Sequence, residues 1–137
     1  MARGILLLVL LLAGCAHAQK PVAVHDTQFG KVTGSVTYRE KVAFDSTWTV
    51  SVTLADVARS DAKGTVVSTQ NIKNAHGVPV PFELLYDPSG IDSTHGYAVT
   101  ATIAQDGRVL WASKMRHAVL TRGAPSHVDI IIQRVAP

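Results

Sequence analysis

Alternation of apolar and polar side chains with a period of two, sustained from Lys31 almost to Val135, constrains this chain more than any other feature. Successive side chains of a strand point to opposite faces, so such alternation marks strands with one dry face and one wet face. Val32, Gly34, Val36 and Tyr38 alternate with Lys31, Thr33, Ser35, Thr37 and Arg39. Trp48, Val50, Val52 and Leu54 alternate with Thr47, Thr49, Ser51 and Thr53, which gives a second strand of high β-propensity. Val66 to Ile72 is a weaker third. Val78, Val80, Phe82, Leu84 and Tyr86 form a fourth, and Pro79 and Pro81, which cannot donate ladder hydrogen bonds, put part of it at a sheet edge. Tyr86-Asp87-Pro88-Ser89-Gly90 is a turn that stops it. Tyr97, Val99, Ala101 and Ile103 make a fifth, Asp106-Gly107 is a tight hairpin signal leading into Val109 to Ser113, and Val128 to Val135 supplies the last. About seven short strands with no sustained helical period predict an all-β domain, a single antiparallel β-sandwich, with a small closed β-barrel as the alternative.

The first residues read differently. One cation at Arg3, an apolar stretch from Ile5 to Leu12 and the small residues before Cys15 have the build of a secretory signal, too short to span a bilayer. Leu12-Ala13-Gly14-Cys15 resembles the lipobox of bacterial lipoproteins, which implies a signal peptide over residues 1–14 and a lipid attached to Cys15. Cys15 is the single cysteine of the chain, so it has no intramolecular disulfide partner in an oxidising compartment, and acylation would remove a free thiol. Several acyl chains amount to a lasting anchor where one is marginal. The alternative is cleavage after Ala16-His17-Ala18, releasing a soluble protein that starts at Gln19. Ala16 after the cysteine, in place of aspartate, favours an outer-membrane destination facing the periplasm. Residues 15–28 are then a lipidated N-terminus and tether, whose dozen or so residues reach up to ~40 Å. Residues 29–137 are the sandwich domain.

Charge excludes one class of partner. Of 13 Lys+Arg and 10 Asp+Glu, loss of Arg3 leaves 12 against 10, too even for the electrostatic footprint of a nucleic-acid binder. Without residues 1–14 the 137-residue chain keeps 123, one domain's worth, able to bury about 65% of the surface its unfolded form exposes.

No catalytic, cofactor or metal site stands out. The six histidines, at 17, 25, 76, 95, 117 and 127, show no pair at metal-ligand spacing. Asp92, Ser93 and His95 are the residue types of a nucleophilic triad, but three neighbours on one turn rarely reach triad geometry, so they read as a polar turn before a strand. Ser60-Asp61-Ala62-Lys63 matches S-x-x-K without the partner motifs that give it meaning. Trp48 and Trp111 are candidates for an aromatic ligand platform, although Trp48 falls on the apolar side of its strand and reads as core.

Several segments taken in order carry a resemblance: Gly34-Ser35-Val36-Thr37-Tyr38-Arg39-Glu40, Val52-x-Leu54-x-Asp56-Val57-x-Arg59-x-Asp61, Val80-Pro81-Phe82-Glu83-Leu84-x-Tyr86-Asp87-Pro88, Tyr97-Ala98-Val99-x-Ala101-x-Ile103 and Val119-Leu120-Thr121-Arg122-Gly123. Together they resemble the YbaY-like bacterial envelope lipoproteins, which are grouped with the YscW-type lipoprotein chaperones of type III secretion, or pilotins. The resemblance implies a non-enzymatic β-sandwich lipoprotein that binds an envelope protein, with an outer-membrane secretin as the candidate partner. An inhibitor of, or accessory to, a cell-wall or glycan enzyme is the alternative, and a hydrolase with a cryptic site is a third class.

Overall fold

A computed structural model describes residues 28–59 and 64–136. Each of the seven expected stretches forms a strand: β1 (Gly30–Thr37), β2 (Thr49–Asp56), β3 (Thr65–Ile72), β4 (Val80–Tyr86), β5 (Tyr97–Gln105), β6 (Arg108–Ala112) and, in the last stretch, β8 (His127–Ile131). A short strand β7 (His117–Val119) lies between β6 and β8, and β9 (Gln133–Arg134) follows β8. The ladders build two separate sheets, β4-β1-β8 and β3-β2-β5-β6-β9, with β7 pairing the end of β5 that β6 leaves open. The architecture is a sandwich rather than a closed barrel.

One pairing departs from the antiparallel expectation: β8 runs parallel to β1, from Thr33↔His127 to Thr37↔Ile131. Alternation reports which face of a strand is buried and carries nothing about the direction of its neighbour, so this pairing had no signal in the pattern. Gly34 is its imprint. A methyl group there would collide with the Val128 carbonyl oxygen and the Phe82 ring, so only glycine lets β1 lie between β8 and β4.

The core fills the space between the sheets. Val32, Val36, Val80, Phe82, Leu84 and Ile130 from one sheet meet Val50, Val52, Leu54, Val99, Ile103 and Trp111 from the other, and all are buried. Trp48 belongs to this cluster, as its place in the alternation predicted. Asp106 and Gly107 both have positive φ, which suits a tight hairpin, and Gln105↔Arg108 closes it. β4 is an edge strand, as Pro79 and Pro81 required. At the opposite flank the chain changes sheets. Ile132 donates its N–H to the Thr37 carbonyl at 2.9 Å, and Gln133 and Arg134 then pair with Ala112 and Trp111 of the other sheet.

Candidate functional site: the open flank

The change of sheet at Ile132 leaves a trough that runs along β6 and β9 of one sheet and on to β8 of the other. Its three hollows share residues from one to the next. The first, about 480 Å³, is lined by Trp48, Arg108, Val109, Leu110, Trp111, Arg134, Val135 and Ala136. Trp111 and Arg134 also line the second, about 310 Å³, together with Arg39, Glu40 and Ile131. Arg39, Ile131 and Gln133 continue into the third, about 370 Å³, beside Lys114, Met115, His117 and Asp129.

Apolar side chains are left in water along this trough: Val109 is 43% exposed, Met115 70%, Ile131 40% and Val135 42%. Scattered exposed hydrophobes need no explanation, but four on one flank, beside a cleft, are what a binding surface looks like. Under the first two hollows the floor is aromatic. Trp111 is buried and stacks on Tyr38 with ring centroids 4.4 Å apart, and the Arg134 guanidinium lies 5.1 Å from the Trp111 ring. Burial pushes the Tyr38 phenol above its usual pKa, and its hydroxyl donates to the Val42 carbonyl at 2.8 Å, pinning the loop after β1. Phe44 meets Trp48 edge to face at 5.2 Å. The rim is largely cationic: Arg39, Arg108, Lys114 and Arg134 are all exposed, against Glu40 and Asp129. Arg134 Nε lies 3.5 Å from Glu40 Oε2, and the Asp129 carboxylate accepts from Ser35 Oγ at 2.8 Å with His127 Nε2 3.4 Å away. Trp48 and Trp111 are therefore both core residues and walls of the first hollow.

The other residues singled out from the sequence form a staple at the far end of the sandwich. His95 Nδ1 lies 2.7 Å from Asp56 Oδ2 at the end of β2, and its Nε2 lies 3.5 Å from Asp92 Oδ2. Thr121 Oγ1 donates to the His95 carbonyl and Arg122 to the Thr94 carbonyl, both at 2.7 Å, which ties the β7–β8 loop to the turn before β5. The hydrogen bond to Asp56 holds the His95 imidazole above its ordinary pKa, against the opposing effects of desolvation and Arg122. Asp56 is held below its usual carboxylate range by the Ala58 N–H and then by His95, and Asp92 by the Thr94 hydroxyl and then the Thr94 N–H. Ser93 is exposed, and the hydrogen bonds of this turn run through Asp92, Thr94 and His95. The turn thus does structural work as a polar turn before a strand. Among the described residues no group of three or more His, Cys, Asp or Glu could hold a metal ion. Cys15, residues 16–27 of the tether and Ser60-Asp61-Ala62-Lys63 lie outside the described residues.

Sequence reasoning missed Arg134, Met115 and Ile131. A signal for Ile131 existed in the unbroken run Ile130-Ile131-Ile132, where the outer two are buried and the middle one faces water. Three consecutive β-branched apolar residues break the period of two and leave one apolar side chain on the wet face.

The sandwich is shared with known proteins. Residues 27–132 match the YscW family, described as type III secretion system lipoprotein chaperones, and the chain belongs to that family. Its structure is similar to that of an alternative pilotin from the type II secretion system of Vibrio cholerae, with 36% sequence identity and a TM-score of 0.76 over 80% of this chain and 100% of that one. A search of curated proteins returns no match.

Proposed function

We propose that this protein is a pilotin-like lipoprotein chaperone of the bacterial envelope: it captures an outer-membrane component of the secretin type in the trough of its open flank, while lipid on Cys15 supplies the destination. The exposed apolar strip of Val109, Met115, Ile131 and Val135 over the Trp111 floor, in a chain of a chaperone family, carries the reading. Of the two ways a sandwich takes a peptide, strand addition at an edge or docking of an apolar segment in a groove, the proline-bearing β4 disfavours the first at its own edge. Family membership likewise speaks for binding rather than catalysis.

Crosslinking in intact cells, followed by fractionation, tests this. The expected result is a crosslink to an outer-membrane secretin. With Cys15→Ser, fatty-acid labelling should be lost and the partner should still be bound but mislocalised. Recovery of no protein partner, together with hydrolysis of a glycan or ester that is lost in His95→Ala, would replace the chaperone with an enzyme. Equal labelling of wild type and Cys15→Ser, or a mature N-terminus at Gln19, would remove the anchor from the proposal.

A further inference from the structure

Arg134 stands where the first two hollows meet, and its surroundings suggest more than an ornament of the rim. Its guanidinium is held over the buried Trp111 ring at 5.1 Å, which fixes its position without engaging its in-plane donors. The partner of those donors is Glu40, at 3.5 Å, with the two side chains 58% and 51% exposed. A pair so wet is worth little, since water competes with it and two long side chains must be held still. The same guanidinium would interact far more strongly with a carboxylate brought in by a ligand that covers the trough and excludes water. Arg39, Arg108 and Lys114 extend this positive rim along the same apolar strip.

We propose that the occupant of the trough is a protein segment whose apolar face is flanked by carboxylates, and that Arg134 reads one of these by exchanging Glu40 for it. Glu40 is then a stand-in that keeps the guanidinium in place until the segment arrives. Apolar residues of the segment sit in the first and third hollows, and the carboxylate reaches Arg134 between them. This rests on the capture reading above and adds the chemistry of what is captured. It makes Arg134 a specificity determinant.

The two members of the pair have opposite expected effects, which a purely structural salt bridge would not produce. The probe is a dye-labelled 18-residue amphipathic peptide with leucines on one face flanked by glutamates, and the control carries lysines in place of the glutamates. Binding is followed by anisotropy to the protein extracted from envelopes and reconstituted in phosphatidylcholine nanodiscs. The glutamate peptide should bind about tenfold more tightly than the lysine peptide at low salt, with the preference shrinking as salt rises. Arg134→Gln should weaken the glutamate peptide alone by about tenfold, with Arg134→Lys recovering part of the loss. Glu40→Gln, which removes the internal competitor, should tighten it roughly threefold, because a half-exposed pair is weak to begin with. Circular dichroism of each variant separates these effects from misfolding. Equal binding of the two peptides, or Arg134→Gln and Glu40→Gln moving affinity in the same direction, overturns the proposal. So does a peptide preference that vanishes while the domain instead binds phosphatidylglycerol nanodiscs through Arg134, which would assign the rim to anionic lipid headgroups. If peptide selectivity fails while crosslinking still recovers a secretin, only the carboxylate exchange falls. If the peptide binds as expected and crosslinking recovers nothing, the chaperone reading falls instead.

Discussion

Along one flank of the sandwich β3 lies against β4, and along the other β8 faces β6, β7 and β9 across the trough. Both flanks present sheet edges, and an unprotected edge is a template for unwanted pairing. On the first flank the backbone is blunted. Pro81 has no N–H to offer, the Glu83 N–H is taken by Gln70 Oε1 at 2.8 Å, and the register of β3 slips at Leu54/Ala55 so that Val67 has no partner in β2. On the second flank the chain leaves one sheet for the other at Ile132, and apolar side chains stay in water beside an aromatic floor. The first flank thus loses two of its β4 donors, and the open flank keeps its apolar potential unused. Val66, Val67 and Leu85 on the first flank are in water too, so what sets the second apart is the cleft and its aromatic floor rather than exposed apolar area alone.

The largest expected effects come from the core that both flanks share. Phe82→Ala, Trp48→Ala and Trp111→Ala should each cost about 3–5 kcal/mol in chemical denaturation, a large part of a small domain's stability. They separate in binding. Milder Trp111→Phe should weaken peptide capture, whereas Phe82→Leu, beneath the first flank, should leave it unchanged; equal losses would erase the contrast between the flanks.

Gln70→Ala comes next. Loss of the cap on the Glu83 N–H should cost about 1 kcal/mol and, more tellingly, should raise the tendency to self-associate in sedimentation, since β4 would regain a donor. A Gln70→Ala protein that stays as monomeric as its parent would mean that Pro81 alone closes that edge.

A smaller effect concerns the staple that anchors the β7–β8 loop, and with it the start of the open flank. The raised pKa of His95 means that protonated His95 is favoured by folding, so its contribution is full below about pH 6.5 and fades as pH rises through the raised value. The lowered pKa of Asp56 works at the other end: its contribution is full above about pH 3.9 and fades as pH falls through the lowered value. Between those limits the contact is at its strongest. Urea midpoints measured from pH 5 to 8 should fall in the parent, and His95→Gln should flatten that fall; a parallel slope in both proteins would show that the staple is not the source. Thr49→Ala and Ser51→Ala, on the wet face of β2, should change stability least, by well under 1 kcal/mol, even though Ser51 Oγ donates to Asn71 Oδ1 at 2.7 Å.

Alternation was enough to define seven strand stretches and most of the core, though not the three-residue β7, because hydrophobic burial acts residue by residue and its period is written directly in the chain. It placed Trp48 and Phe82 inside, put the prolines at an edge and located the hairpin at Asp106-Gly107. The family was legible too, through short segments taken in order. The address proposed at Cys15 rests likewise on a purely sequential signal, read from neighbours along the chain. What the tertiary structure alone decided was adjacency. The parallel partner of β1 comes from 94 residues downstream, as the Thr33–His127 and Ser35–Asp129 contacts record. The trough exists because the chain changes sheets at Ile132, and it brings Arg134 over Trp111 and beside Glu40, far apart in sequence. Period and composition describe how a residue meets solvent or core; which other residue it meets there depends on how distant strands are threaded, and no local pattern encodes that.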